Sequence, residues 1–411
     1  MHRRRSLLLG IMAAVLALTG VAPASAGNPP SSPGGPVWRW DEITPAAPWA
    51  GRAGLQAVEL GTSFYLMGGR TPVGFAPGVP PGASQLWSDV WRSDDRGRTW
   101  QQVLASGGTD HWAPRAYFQA VRLAGAMYVL GGQDFTLIPN PGCAAFPPGV
   151  PCPLPDVPNS TFFNDVWRST DGVTWTRMTE HAPWQGRAGL SAVVKNGAIY
   201  VFGGSVNDDS AVVGGAPPRI YFNDVWRSTD GANWTRMTAD AGWAPRAGAA
   251  AVVQHGWIYL LGGEDGFVCN EQTPRCPPYY NDVWRSRDGR TWQQVTPAAG
   301  WSPRPGHQCA VAASDIVCFG GFGLDGNPVD VWASPNGKRW RQLPGAPWNA
   351  ASGEEVKYDF DAISTIEVRN GRPTPAIYTF GGDRETFDFG DPLNPTRIDN
   401  DVWRYAPAAR R

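Results

Sequence analysis

Five arginines recur at one place in the chain, each three residues after a tryptophan: Trp49 with Arg52, Trp112 with Arg115, Trp184 with Arg187, Trp243 with Arg246, and Trp301 with Arg304. Gathered on one face, their planar forks would receive a carboxylate, sulfate or phosphate through paired hydrogen bonds. The large flat rings of Trp112, Trp184 and Trp243 would either stack on sugars or pack between sheets. An arginine repeated in every unit can equally be paired internally, with a backbone carbonyl or a neighbouring aspartate.

Departures from the repeat suggest a second chemistry. At the third place after each arginine stand Leu55, Phe118, Leu190, Ala249 and His307, so one histidine interrupts an apolar series. Tyr117 takes a position that is glycine in the four other arginine-bearing copies. A sixth tryptophan, Trp348, has no arginine three residues on, and the segment that follows carries Glu354, Asp359 and Asp361. Depending on register, Ala351 or Asp361 takes the place of the missing arginine. Carboxylates facing an arginine ring would form a polarised pocket in which one acts as acid or base, with Tyr117 or His307 assisting. The candidate catalytic residues are therefore Glu354, Asp359, Asp361, His307 and Tyr117. The candidate ligand-binding residues are the five arginines with Trp112, Trp184 and Trp243. The competing expectation is that the carboxylates merely neutralise the arginines or lie in a solvated loop.

The elements that must position these residues follow from the rest of the repeat. After each Trp-x-x-Arg comes an apolar strand, then a second strand ending in Gly68-Gly69, Gly131-Gly132, Gly203-Gly204, Gly262-Gly263, Gly320-Gly321 or Gly381-Gly382. A variable loop leads to Asp-Val-Trp, at Asp89, Asp165, Asp224, Asp282, Asp330 and Asp401, and a last strand carries Trp100, Trp175, Trp234, Trp292 or Trp340. The sixth closing tryptophan is missing after Trp403, but Val37 to Thr44 matches the missing strand. The N-terminal strand should therefore complete the last blade and close a ring. Units of this size form four-stranded antiparallel sheets that cannot bury both faces alone, so they stack around an axis. The expected fold is all-β, a six-bladed β-propeller over residues 37–407, with a tail at 408–411.

This pattern resembles the kelch repeat family over essentially the whole mature chain, in particular galactose-oxidase central domains and sialic-acid epimerases. Ser93-x-Asp95-x-Gly97-x-Thr99-Trp100 also resembles the Asp-box turn of sialidase-like propellers, with shorter versions beginning at Ser169, Ser228 and Ser286. Asp and Gly suit a tight hairpin there, which gives the motif a structural meaning without chemistry. The resemblance implies hydrolysis, epimerisation or elimination on an acidic sugar, although the sialidase nucleophile and its Arg-Ile-Pro signature have no counterpart here. It also implies that the long loops, about Arg70 to Gln85, Gln133 to Phe162, Ser205 to Tyr221 and Glu264 to Tyr279, form the binding face.

The chain has 411 residues with a formal net charge of −1, which argues against nucleic acid and acidic membranes as partners. Its 50 Gly, 39 Pro and 21 Trp suit many short strands joined by turns. Arg3, Arg4 and Arg5, the apolar run from Leu7 to Leu18 and Ala24-Ser25-Ala26 read as a signal peptide over 1–26, cleaved near Ala26, with a partial twin-arginine match. A linker at 27–36 follows, and the apolar run is too short for a membrane anchor. The six cysteines fall as Cys143 with Cys152, Cys269 with Cys276, and Cys309 with Cys318, and in an exported chain these read as local disulfides. Their spacing does not suit a metal site.

Three functions remain from the sequence. The first is a secreted monomer that binds an anionic carbohydrate, with or without acting on it, and needs no cofactor or metal. The second is a non-catalytic module for an extracellular protein partner. The third is a copper-radical oxidase, disfavoured because the cysteines are paired and the mature chain offers only His111, His181, His255 and His307. No P-loop, zinc-protease helix or Ser-His-Asp elbow is present.

Overall fold

The computed structural model describes residues 37–73, 84–134, 136–147, 149–152, 156–208, 218–266, 279–323, 328–346, 357–385 and 397–408. Six antiparallel sheets of four strands follow one another along the chain. Blade one consists of Gln56–Leu60, Ser63–Pro72, Ser84–Ser93 and Gln101–Leu104. Blades two to five repeat that order, with innermost strands at Gln119–Leu123, Ser191–Lys195, Ala250–Gln254 and Gln308–Ala312. Blade six runs Asp361–Arg369, Arg372–Asp383 and Ile398–Pro407, and its fourth strand is the N-terminal Trp38–Thr44. Trp40 faces Tyr405 and Glu42 faces Trp403 in that pairing, so the ring closes as the repeat requires.

The core lies between blades. The second strands are buried through most of their length, and Ala126–Leu130 and Ala198–Phe202 throughout, because neighbouring blades cover both faces. The apolar clusters accordingly draw on consecutive blades, for instance Tyr128 and Leu130 of blade two with Leu190, Ile199 and Val201 of blade three. The valine of every Asp-Val-Trp is fully buried there. The glycine pair is required by that closeness. Gly131 and Gly132 have φ of 66° and 92°. A Cβ on Gly132 would meet the Ala116 carbonyl oxygen at 2.8 Å, so no larger residue fits this backbone.

Two disulfides staple the described residues. Cys143–Cys152 closes the long loop of blade two, and Cys309–Cys318 joins facing positions on the first two strands of blade five. Cys269 and Cys276 lie outside the described residues, as do the signal segment, the linker, Trp348 and Glu354. No helix among the described residues is long and apolar enough to cross a membrane.

Candidate functional site

The repeat arginines do not open onto the axis. Arg52, Arg115, Arg187, Arg246 and Arg304 are buried, and each fork closes on the aspartate of its own blade's Asp-Val-Trp: Asp89, Asp165, Asp224, Asp282 and Asp330, at 2.5–2.7 Å. The same guanidinium donates to the carbonyl of the first glycine of the pair, as from Arg187 to Gly203 at 3.1 Å. The aspartate's other oxygen accepts from the indole two residues on, as from Trp226 to Asp224 at 2.8 Å. One buried network thus explains why Arg, Gly-Gly and Asp-Val-Trp recur together. Trp112, Trp184 and Trp243 are buried too, edge-on to Trp175, Trp234 and Trp292, where no ligand ring reaches them.

Blade six keeps this network in altered form and settles its register. Lys357 occupies the arginine position and pairs with Asp401 and, at 3.1 Å, with Asp399. Ala351 lies outside the described residues, and Asp361 does not take the arginine's place; the register is set by Lys357 because a lysine, not an acid, answers the buried aspartate.

Two residues after each of these cations, the chain reaches the axis and forms a closed ring. Tyr117 N–H donates to Gly54 O, Gly189 to Tyr117, Gly248 to Gly189, Gly306 to Gly248, Asp359 to Gly306 and Gly54 to Asp359, at 2.7–3.0 Å. All six residues have left-handed φ, from 49° to 63°. Four are glycine, the residue this conformation favours. Tyr117 and Asp359 adopt it against the steric cost of a Cβ, the kind of backbone strain that concentrates at functional sites.

Above this ring stand the residues that follow each glycine pair: Arg70, Gln133, Ser205, Glu264, Phe322 and Asp383. Five are bridged to the strand leading into the ring at Ala53, Ala116, Ala188, Ala247 and Tyr358, and Phe322 donates to the Pro305 carbonyl. The repeat holds the backbone constant here while all six side chains differ. Arg70 donates to the Tyr117 hydroxyl at 2.5 Å and to Asp383 at 2.7 Å, tying blades one, two and six together. Burial works against the Arg70 charge, but Tyr117, Asp383 and Glu385 hold its pKa well above the arginine range. Burial, with Asp383 adding, pushes the Asp359 and Glu385 carboxyls up to about 7. Burial also raises Tyr117. Burial raises Glu264 well above the carboxylate range, with Asp208 and Asp359 reinforcing it.

Of the sequence candidates, the structure therefore brings Tyr117 and Asp359 together, around an arginine outside the repeat series. Asp361 lies below the ring, where its Oδ2 accepts from Ala57 N–H at 2.6 Å. Gln56 does the same for Ala120 at 3.0 Å, so Asp361 joins blade six to blade one rather than facing the mouth. Burial lifts its carboxyl to about 7. The six ring residues, with His307, Gln56, Gln119, Gln308 and Asp361, line an axial cavity of about 100 Å³, and a second of about 310 Å³ adjoins it at Gln56, Gln119, Gln308 and Asp361. His307 packs beside Trp301 in the position of Leu55 and Leu190, and its ring nitrogens have no well-aligned hydrogen-bond partner among the described residues. Burial, and then Arg304, lowers its pKa to about 3, so it is neutral at ordinary pH.

The Ser-x-Asp-x-Gly turns sit far out on the blades and are held locally. Asp95 accepts from the Arg98 and Thr99 amides at 3.0 and 2.9 Å, and Ser93 Oγ accepts from Gly97 at 2.8 Å. Asn336 makes the same turn in blade five, which the sequence reading passed over.

Repeat, ring closure and sheet order define a six-bladed β-propeller. A KLHDC2/KLHL20/DRC7 Kelch-repeats domain model matches residues 156–321. The solved structure of YjhT superposes with a TM-score of 0.56 at 16% identity, covering 88% of this chain and 96% of that one. At that identity the likeness speaks for the fold.

Proposed function

We propose that this protein is an exported carbohydrate-binding propeller whose ligand sits on the axial ring, among Tyr117, Arg70, Asp383 and Asp359. The observation that carries the proposal is the strain at Tyr117 and Asp359. Where four of six equivalent positions are glycine, these two keep side chains in left-handed backbone, and both feel the charge of Arg70. Tyrosine hydroxyls, carboxyls and a guanidinium are the donors and acceptors that a polyhydroxylated ligand requires. Asp359, at about 7, is poised to exchange a proton with such a ligand, as epimerisation, hydrolysis or elimination would need. An acidic sugar would have to take Arg70 from Asp383, because the repeat arginines are already filled. Export is supported by the two disulfides, which persist in oxidising compartments.

Titration of neutral, acidic and basic oligosaccharides into wild type, Tyr117→Gly and Asp359→Gly tests the proposal. Binding by wild type and at least a tenfold loss in both folded variants is expected. Equal affinity in all three proteins would remove the ring as the site. A second reading, a protein-docking module, is favoured by the partly exposed Ile138, Phe146 and Val150 on the long loop of blade two, where Cys143–Cys152 clamps the tip. It expects no glycan to bind, and expects a protein partner to be lost on Phe146→Ser.

A further inference from the structure

The other side of the mouth holds carboxyl oxygens that the proposal above leaves unused. Glu264 follows the glycine pair of blade four and is only 6% exposed; its carboxyl shares a hydrogen bond with Asp208, yet its Oε2 has no partner among the described residues. Oδ1 of the adjacent Asp265 is likewise buried without one. The Tyr221 hydroxyl donates to Asp208, and the Tyr280 hydroxyl to the other oxygen of Asp265. The ring beneath is bare at Gly189, Gly248 and Gly306, and a Cβ on Gly248 would lie 3.7 Å from Glu264 Oε1. The charges acting most strongly on Glu264 are those of Asp208, Asp359 and Asp265, all acidic. Of the nearby cations, Arg70 acts on Asp359 and Arg219 on Tyr221.

A buried group of acids with orphaned oxygens is relieved by a cation that brings its own donors. Among the described residues, no three of these carboxylates converge as metal ligands do. A compact ammonium with three N–H donors fits better, and aromatic rings such as Tyr221 and Tyr279 favour it further. Both tyrosines lie close enough to feel the charges of Asp208 and Glu264.

We propose that Glu264, with Asp208 and Asp265, forms a subsite for a primary ammonium group, so that the ligand of the mouth is an amino sugar bearing a free amine. The choice of a sugar rests on the carbohydrate reading above; the ammonium subsite rests on Glu264 and its neighbours. Burial and those acids raise the Glu264 carboxyl well above its ordinary range in the free protein, and an arriving ammonium draws it towards the carboxylate, so binding releases protons.

The test is titration calorimetry of glucosamine oligomers against their N-acetylated counterparts, with wild type and Glu264→Gln, in buffers of different ionisation heat at pH 7. Wild type should bind the free-amine oligomer about tenfold more tightly, a ratio worth about 1.4 kcal/mol, and release a proton on binding. Glu264→Gln should lose both the preference and the release. Equal wild-type affinity for the two oligomers overturns the ammonium subsite and leaves the carbohydrate reading intact. If wild type binds neither oligomer, the amino-sugar ligand is overturned, the wider oligosaccharide titration above decides the carbohydrate reading, and 1,6-diaminohexane decides the subsite. Proton-releasing binding of the diamine, abolished in Glu264→Gln, supports it; no binding overturns it.

Discussion

Arg187 and Arg70 are the same side chain in opposite settings. Arg187 repeats four times over, with the same aspartate, carbonyl and indole network, and is 1% exposed. Arg70 has no counterpart, since the five equivalent positions hold Gln133, Ser205, Glu264, Phe322 and Asp383. Beyond a long contact to Ser84 of its own blade, its partners come from two other blades, Tyr117 of blade two and Asp383 of blade six. The first setting builds one blade, and the second exists only once the ring has closed. Repetition in this molecule marks what the fold needs, and variation on a constant backbone marks where a ligand can be recognised.

The comparison breaks if the repeat arginines prove dispensable. Arg187→Met should destabilise the protein by about 3–5 kcal/mol, because it leaves Asp224 buried without its cation. Denaturant unfolding measures this, and a loss below about 1 kcal/mol would return the arginines to the list of binding candidates.

The comparison sharpens at Asp359, whose carboxylate makes no hydrogen bond among the described residues. Asp359→Gly should gain about 1 kcal/mol at pH 4 from relief of left-handed strain. Its folded pKa is raised to about 7, so the wild-type contribution is fully present below the unfolded value of about 4 and is lost as pH rises through 7. The advantage of the glycine variant should therefore grow between pH 4 and 8, by up to about 4 kcal/mol. Thermal melts across that range show it, and an advantage that shrinks with pH would contradict the burial of this carboxyl.

His307 gives the smallest effect, with the opposite sign. Its folded pKa is lowered to about 3, so its stabilising contribution is present above the unfolded value near 6.5 and is lost as pH falls. His307→Leu, which restores the residue found at Leu55 and Leu190, should be nearly neutral at pH 8 and gain about 2 kcal/mol at pH 5. A variant that loses sugar binding at pH 8 would mean that the histidine has a role beyond packing.

Much of this was legible in the residues. Six glycine pairs, six Asp-Val-Trp segments and a displaced closing strand at Trp38–Thr44 state the blade count and the closure, because each blade repeats one set of local contacts. The odd residues Tyr117 and Asp359 were also visible as interruptions. Less visible was their meaning: the arginine ring expected to bind a ligand is consumed by Asp89 and its equivalents, and Lys357 rather than Ala351 or Asp361 holds the sixth place. Arg70, Glu264 and Asp383 went unnoticed although comparing the six residues after the glycine pairs would have exposed them, since all six differ.

The sequence by itself determined the blade, because a blade is made from neighbours in the chain whose types must match at short range. The mouth was decided by the tertiary structure. Arg70 and Asp383 are 313 positions apart, and their contact depends on the number of blades, the register of the last one and a ring of backbone hydrogen bonds that no single repeat contains. Charge, burial and strain at Tyr117, Asp359 and Glu264 arise from that convergence, where six inner strands meet at one axis and bring side chains of different blades against one another.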